Sequence, residues 1–245
     1  MTQHPRNWLA IWIAALTAFM PSARAAGIEP ITPAQCDEMK ARGVMNPGSP
    51  VGCARLRLVK FSYAGFDGKT HDDGEIVVLD AVAEHVRNIF TQLQKRGFPI
   101  AKAKQMNAYK GDDDASMADN NTSAFNVRYV AGTSRLSMHS YGTAIDINPV
   151  QNPYVTRSGG ALVYNPPASA AYADRKKTHP AFAESVRDIF TANGFDVWGG
   201  AWADPDYQHF QLSAAMAERL ARLSPVEAKA EFDRYVAAAT VLKRS

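Results

Sequence analysis

The sequence predicts an α+β fold. Two amphipathic helical patterns alternate along the chain with short segments that are β-branched or apolar at every second position. The sequence contains no internal repeat and no low-complexity tract. Its 245 residues are 46% hydrophobic and 21% charged, which is typical of a globular domain. We therefore expect one domain over residues 26–245.

The first residues have the pattern of an export signal. Arg6 precedes the apolar stretch Trp8–Met20, and Ala23-Arg24-Ala25 has the small residues that a signal peptidase recognises. A bilayer span needs about 20 apolar residues, so a retained membrane anchor is the less favoured reading. The sequence thus predicts a signal peptide over residues 1–25 and export to the periplasm, with no membrane span after cleavage.

The predicted mature chain is almost neutral. The sequence has 27 basic and 24 acidic residues, and two of the basic residues, Arg6 and Arg24, leave with the signal peptide. The remaining 25 basic residues barely outnumber the acidic ones. Such a balance does not hold a polyanion by bulk charge, so we expect no nucleic-acid partner.

Cys36 and Cys53 are the two cysteines of the chain. In an exported protein an even pair favours one disulfide, which here would close a short N-terminal loop. A metal site built on these two residues is the less favoured alternative, because no histidine lies nearby at zinc-finger spacing.

The domain is expected to begin with an irregular segment, followed by a strand and a helix. Residues 26–70 are rich in Pro, Gly and Cys, and we expect an irregular N-terminal wrap there. The core follows at about residues 70–212, beginning with a strand at Glu75–Leu79. Asp80 then caps a helix that Gly97 ends. The apolar face of this helix is formed by Val82, Val86, Ile89, Phe90 and Leu93.

Two polar segments are predicted to be loops. Lys110–Thr122 is acidic, but its three adjacent aspartates lack the spacing of a calcium-binding EF-hand, so we expect a solvated loop. Val150–Thr178 is rich in Pro, Gly and Tyr and is longer than an ordinary connection. Loops of this length often form lids or the walls of binding sites.

The second half contains another helix, a strand and a helical C-terminus. The helix is expected to end at Asn193-Gly194, and the strand at Phe195–Trp198 leads into a turn. Residues 213–245 are predicted to be helical, with an N-cap, a proline and a capping-box glutamate in Ser224–Glu227. The apolar residues of the second helix are Phe182, Val186, Ile189 and Phe190.

The stretch Ser134–Pro149, SRLSMHSYGTAIDINP, has a carboxylate that an ordinary core strand does not need. A strand over Ala144–Asn148 places two isoleucines on one face and Asp146 on the other. His139 lies seven residues before this aspartate, and Gly142 between them allows the chain to turn. The two polar side chains can therefore approach each other.

A second histidine stands in a similar setting. In Trp198–Leu212, WGGAWADPDYQHFQL, Asp206 lies three residues before His209. On a straight strand these two side chains would face opposite sides, so a turn at Pro205 must redirect the carboxylate. Asp204 is a competing carboxylate in the same turn.

Two histidines and one aspartate form a ligand set that suits zinc. His139, Asp146 and His209 would leave one tetrahedral position for water, as catalytic zinc requires. A further carboxylate that is not a ligand is then needed to take a proton from that water, and Asp206 is placed for this role. On spacing alone, structural histidines remain an alternative, and other divalent ions also accept this set.

Read as a whole, the two motifs resemble the signature of the VanY-like D-alanyl-D-alanine carboxypeptidase family. The resemblance extends over roughly residues 70–212 and includes Phe98–Ile100, Asn120–Arg128 and Ala144–Tyr154. The motif positions are Ser137, His139, Gly142, Ala144 and Asp146, followed by Asp206 and His209.

The resemblance implies a fold and a role for each motif residue. The fold would be the hedgehog/DD-peptidase fold, with a small antiparallel sheet, flanking helices and one zinc ion per chain. His139, Asp146 and His209 would bind the zinc. Asp206 would be the catalytic acidic residue, and Ser137 a residue of the substrate pocket, although an ordinary strand hydroxyl is an alternative.

Arg128 matches an upstream arginine of the family. The resemblance implies that it binds substrate and stabilises the developing oxyanion. The stem peptides of peptidoglycan end in carboxylates, so Arg128 is equally suited to bind a substrate carboxylate.

The function implied is zinc-dependent hydrolysis of peptidoglycan stem peptides. The enzyme would be a D-Ala-D-Ala carboxypeptidase or an endopeptidase that cuts between L-Ala and D-Glu. A non-catalytic module that binds cell wall or a partner is the alternative from another class, and a lytic protein aimed at other cells is a third. The aromatic residues Trp198, Trp202 and Tyr207, with the loop Pro153–Tyr172, would either line a peptide groove or pack the core.

Overall fold

The computed structural model of the protein describes residues 27–242. The predicted signal peptide, residues 1–25, lies outside the described residues. The described chain mixes α-helices with small antiparallel sheets, in agreement with the α+β prediction. None of the described helices has the length and apolar character needed to cross a membrane.

Short strands and helices alternate along the described chain. The strands are β1 (Gly27–Pro30), β2 (Leu56–Ala64), β3 (Thr70–Leu79), β4 (Lys102–Ala103), β5 (Asn121–Thr122), β6 (Ala144–Asp146), β7 (Tyr154–Ser158), β8 (Ala161–Asn165), β9 (Val197–Trp198) and β10 (His209–Gln211). The helices are α1 (Pro33–Ala41), α2 (Ala83–Arg96), α3 (Asp113–Ala118), α4 (Arg187–Ala192), α5 (Ala214–Arg222) and α6 (Pro225–Leu242).

The larger sheet has the order β1-β2-β3 and is antiparallel throughout. Its central strand, β2, lies in the segment for which we expected an irregular wrap, so that expectation is wrong. The Pro-, Gly- and Cys-rich composition of residues 26–70 conceals the alternation of the sequence LRLVKFSYA, in which Leu56, Leu58 and Phe61 are buried. These side chains form part of the main hydrophobic core, which α2 covers.

Helix α2 buries the predicted apolar face, including Val86, Ile89 and Phe90, and ends at Gly97 in the left-handed conformation. The predicted N-cap is wrong, because the helix begins at Ala83, after a 3₁₀ turn. Asp80 instead accepts two hydrogen bonds from the Arg55 guanidinium, at 2.8 and 3.0 Å. A distant partner therefore takes the carboxylate that local sequence assigns to the helix.

Arg55 also ties the C-terminal helices to the sheet. Its guanidinium donates to the backbone carbonyls of Leu220, Ala221 and Leu223, at the end of α5. Helix α6 follows, and its start carries the predicted capping box between Ser224 and Glu227.

A disulfide joins the N-terminal segment to the large sheet. Cys36 in α1 and Cys53, three residues before β2, are linked with their Cα atoms 5.8 Å apart. The bond closes a loop across 17 positions of sequence.

The acidic segment predicted to be a loop contains helix α3 and strand β5. Asp112 caps the helix by accepting a hydrogen bond from Ala115 N at 3.0 Å, and Ser116 and Met117 are buried. The loop prediction is wrong here because a helix of two turns needs only a cap and one buried face, which a mostly polar sequence can supply.

The long segment Val150–Thr178 also contains regular structure, contrary to the loop prediction. Strands β7 and β8 form an antiparallel hairpin around Gly159 and Gly160, both with positive φ. The hairpin has few buried residues, so its strands lack the apolar alternation by which a half-buried strand is recognised.

The smaller sheet has the order β6-β10-β9 and carries the predicted motif residues. β10 pairs antiparallel with β6, so that His209 lies opposite Asp146 and Phe210 opposite Ile145. Phe210 is buried on the other face of β10 and stacks on Phe190 of α4. This packing anchors the sheet to the main core.

Gly142 joins the motif loop to the end of the large sheet. It has a φ of +68°, and its carbonyl accepts a hydrogen bond from Leu79 N at 2.9 Å. A Cβ atom at this position would lie 2.6 Å from the Leu79 nitrogen. Both the backbone conformation and the close approach therefore require glycine.

We predict that Gly142→Ala lowers the free energy of unfolding by more than the cost of a positive φ alone. The backbone strain costs about 1–3 kcal/mol, and displacing the Leu79 backbone costs about 1–3 kcal/mol more. Gly68→Ala is the matched control, because Gly68 also has a positive φ but open space around its Cβ position. Urea unfolding in the presence of a chelator would measure both variants. Equal losses would contradict the close-approach interpretation.

Candidate metal centre

The predicted ligands come from three short elements. His139 lies in a 3₁₀ turn, Met138–Tyr141, whose N-cap Ser137 accepts a hydrogen bond from His139 N at 3.3 Å. Asp146 is the last residue of β6, and His209 is the first residue of β10. Because β6 and β10 are antiparallel neighbours, the end of one strand lies beside the start of the other.

The three side chains converge in the interior. Asp146 Oδ1 lies 2.8 Å from His209 Nδ1, and Asp146 Oδ2 lies 3.0 Å from His139 Nε2. The two imidazole nitrogens are 3.2 Å apart. Metal–ligand bonds of 2.0–2.1 Å in a tetrahedron separate ligand atoms by about 3.3 Å. These atoms are therefore already close to the spacing that a bound zinc ion would impose.

The outer nitrogen of each imidazole has its own hydrogen-bond acceptor. His139 Nδ1 lies 2.5 Å from the carbonyl oxygen of Ala124, and His209 Nε2 lies 2.8 Å from Gln211 Oε1. A carbonyl oxygen can only accept, so His139 Nδ1 carries a proton and leaves the Nε2 lone pair for a metal. By the same reasoning His209 offers Nδ1. Such outer contacts orient metal-binding histidines.

The electrostatics of the cluster favour a bound cation. Burial alone would raise the pKa of Asp146, but His139 and His209 hold it well below its usual range. Burial alone would lower the pKa of His209, but the Asp146 carboxylate raises it to about 9. Positive charge is thus stabilised between these side chains, and a divalent cation can supply it in place of protons.

Asp206 is held beside the cluster by backbone contacts on both sides. Its N–H donates to Gly199 O at 3.0 Å, and its carbonyl accepts from His209 N at 3.2 Å. Strand β7 flanks the turn, since Val155 N donates to Pro205 O at 2.8 Å. On a straight strand Asp206 and His209 would face opposite sides. The turn, supported by the hairpin, instead directs the Asp206 carboxylate towards the same side as His209.

The Asp206 carboxyl group has an unusual environment. Its Oδ1 is buried and has no hydrogen-bond partner among the described residues. Burial and the neighbouring Asp146 carboxylate raise the pKa of Asp206 to about 7. A carboxyl group of this kind can accept and release a proton near neutral pH. A cation bound in the cluster would lower that pKa.

A cavity of about 670 Å³ opens onto the cluster. Trp202 lies on its wall and is 41% exposed, whereas Trp198 is half-buried against Phe210. The sequence left open whether the aromatic residues line a peptide groove or pack the core. The structure places Trp202 on the cavity wall and Trp198 against the core. Among the other residues that line the cavity are Asp113, Arg128, Ser137, Asp146, Tyr154, Asp206 and His209.

Arg128 reaches this cavity together with a residue that sequence reasoning assigned to a solvated loop. Arg128 Nη2 lies 2.8 Å from Asp113 Oδ2, at the start of α3. Burial raises the pKa of Asp113, and the Arg128 guanidinium opposes that rise. The available signal in the sequence was Asp112, because aspartate is a common N-cap and here precedes the first residue of α3.

Gln211 is a second residue that sequence reasoning missed. It lies two positions after His209 on the same strand, so both side chains share one face of β10. The alternation of that short strand was the available signal.

A family model described as D-alanyl-D-alanine carboxypeptidase matches residues 131–212, about a third of the chain. The resemblance to the VanY-like family is confirmed over these residues, whereas the predicted resemblance of residues 70–130 lies outside the match. The match includes His139, Asp146, Asp206 and His209, while Arg128 lies three residues before it. It supports a hydrolase of the peptidase class. A search of curated proteins found no significant match, and neither did a search of solved structures.

We predict that Gln211→Ala weakens metal binding about 10- to 100-fold, because His209 loses the acceptor that orients its ring. Gln211→Glu is the matched control and should retain affinity, since its carboxylate also accepts from His209 Nε2. A competition titration with a chromophoric zinc chelator would measure both. Wild-type affinity in Gln211→Ala would show that the ring is oriented by other contacts.

Proposed function

We propose that the protein is an exported zinc peptidase that hydrolyses the stem peptides of peptidoglycan. The observation that carries this proposal is the buried His139–Asp146–His209 cluster with Asp206 beside it, within the segment that the peptidase family model matches. The periplasm is the proposed location, because the N-terminal pattern of the sequence is that of a signal peptide.

The cluster fits the chemistry of zinc. Its donor atoms lie within 4.8 Å of one another, and all three residues are buried. Two neutral imidazoles and one carboxylate leave an open coordination position. Zinc bound there supplies a Lewis acid for the scissile carbonyl and lowers the pKa of a water molecule.

Asp206 is proposed to move the proton. Its Oδ1 has no partner among the described residues and is therefore free to accept a proton from the attacking water. The protonated carboxyl group can then return that proton to the amine that leaves when the peptide bond breaks. Burial and the Asp146 carboxylate raise the pKa of Asp206, which favours its acting as a base and then as an acid, while a bound cation would oppose that rise.

Arg128 is proposed to stabilise negative charge on the substrate. Burial and Asp146 raise the pKa of Asp206, and the positive charge of Arg128 opposes that rise, so Arg128 acts within electrostatic range of the proton-transfer group. A guanidinium held in a partly dehydrated cavity stabilises a developing oxyanion more strongly than it would in water. Ser137, whose hydroxyl accepts from His139 N, orients the turn that carries the ligand.

We predict that Asp206→Asn retains metal and loses about 10²–10⁴-fold in turnover, because the amide cannot accept the proton. Asp204→Asn is the matched control, since it removes the same charge two residues away from an exposed position. It should keep its activity within about threefold. Metal analysis and initial rates on muropeptides would be measured for both variants. If Asp204→Asn were the inactive one, the proton-transfer role would belong to Asp204.

We predict that purified residues 26–245 bind one zinc ion and cleave muropeptides, which metal analysis and mass spectrometry of the products would measure. Release of a terminal D-Ala would identify a carboxypeptidase, and a cut between L-Ala and D-Glu would identify an endopeptidase. Chelation should abolish either activity, and added zinc should restore it. Zinc binding without cleavage of any muropeptide would contradict the enzyme and favour a binding module.

A further inference from the structure

Asp113 and Arg128 meet on the wall of the cavity that contains the metal cluster. The two charged groups are 2.8 Å apart, and both side chains remain partly exposed, Asp113 by 25% and Arg128 by 30%. Both residues line the cavity. Arg128 Nε, in contrast, is buried and has no hydrogen-bond partner among the described residues.

The backbones that carry this pair are fixed independently of it. Arg128 N donates to Ser140 Oγ at 3.0 Å, and the Arg128 carbonyl accepts from Ser137 N at 3.0 Å. These contacts attach Arg128 to the turn that contains His139. The guanidinium lies at the end of a long side chain, however, and the backbone alone leaves its orientation undetermined.

Helix α3 provides a rigid base for Asp113. Asp112 caps the helix, Ser116 Oγ accepts from Asn121 Nδ2 at 3.1 Å, and Gln208 Nε2 donates to Met117 Sδ at 3.3 Å. The last contact connects α3 to the residue preceding His209. Helix α3, which carries Asp113, is thus tied to the strand that begins with His209.

We propose that Asp113 is a positioning residue, which holds the Arg128 guanidinium in the cavity so that its exposed part faces the substrate. This proposal rests on the peptidase function proposed above. A partly exposed ion pair contributes only about 0–1 kcal/mol to the free energy of unfolding. A contribution to fold stability is therefore a weak explanation for the Asp113–Arg128 pair. Asp113 occupies one nitrogen of the guanidinium and leaves Nε without a partner.

The test is Asp113→Asn in the full zinc-loaded protein, with Asp112→Asn as the matched control. Asn caps a helix as well as Asp does, and Asp112 is exposed and outside the cavity lining, so the control removes an adjacent charge without disturbing the fold. Asp113→Asn should lower kcat about 10- to 100-fold with KM within twofold, because a misplaced group loses transition-state stabilisation. The urea midpoint should stay at the wild-type value, and Asp113→Glu should recover part of the rate.

A double-mutant cycle decides whether Asp113 acts through Arg128. In an Arg128→Ala background, Asp113→Asn should cause less than a twofold further loss in kcat. Two losses that multiply would overturn the proposal, as would a rise in KM at unchanged kcat.

A readout that does not need turnover separates this proposal from the proposed function. In ¹⁵N-labelled protein, the Arg128 Nε–H signal, assigned by its loss in Arg128→Lys, should exchange slowly with solvent. In Asp113→Asn it should shift and exchange faster, whereas Asp112→Asn should leave it unchanged. An unchanged signal in Asp113→Asn would overturn the positioning role. Failure of the wild-type protein to cleave any muropeptide would instead overturn the proposed function.

Discussion

The antiparallel pairing of β6 with β10 is the contact on which the candidate site depends. It places Asp146 directly opposite His209, so that the carboxylate meets one imidazole across the strands and the other from the turn before β6. A slip of one residue would bring Phe210 opposite Asp146 and move His209 to the other face. Phe210 prevents this slip, because it is buried in the main core against Phe190. The hydrophobic core therefore sets the geometry of a polar site.

A buried carboxylate between two buried imidazoles is costly unless positive charge accompanies it. The depressed pKa of Asp146 and the raised pKa of His209 are two consequences of that single requirement. The carbonyl of Ala124 and the side chain of Gln211 direct the remaining imidazole nitrogens outward. A divalent cation satisfies all three donors at once, and this is the physical basis for reading the cluster as a metal centre.

The groups around the cluster are supplied by segments with little buried surface of their own. Strand β7 supports the turn that carries Asp206, and α3 presents Asp113 to Arg128. Both segments lie where the sequence predicted loops. They contribute little to the main core, yet they orient Asp206 and Arg128. In the proposed chemistry Asp206 transfers the proton and Arg128 stabilises negative charge. The site is thus built in two parts, with metal ligands anchored to the core and proposed catalytic groups supported by peripheral elements.

The sequence by itself determined the features that depend on neighbouring residues. Strand alternation separated Asp146 from its flanking isoleucines, Gly97 ended α2, and Ser224 with Glu227 formed a capping box. Only the tertiary structure decided the features that depend on distant partners. Asp80 pairs with Arg55 instead of capping α2, and β2 becomes the centre of a sheet. Asp113 and Gln211 join the site because the chain brings them to Arg128 and His209. A local pattern records the propensity of a segment, whereas the partner of a polar side chain is set by packing between elements far apart in sequence.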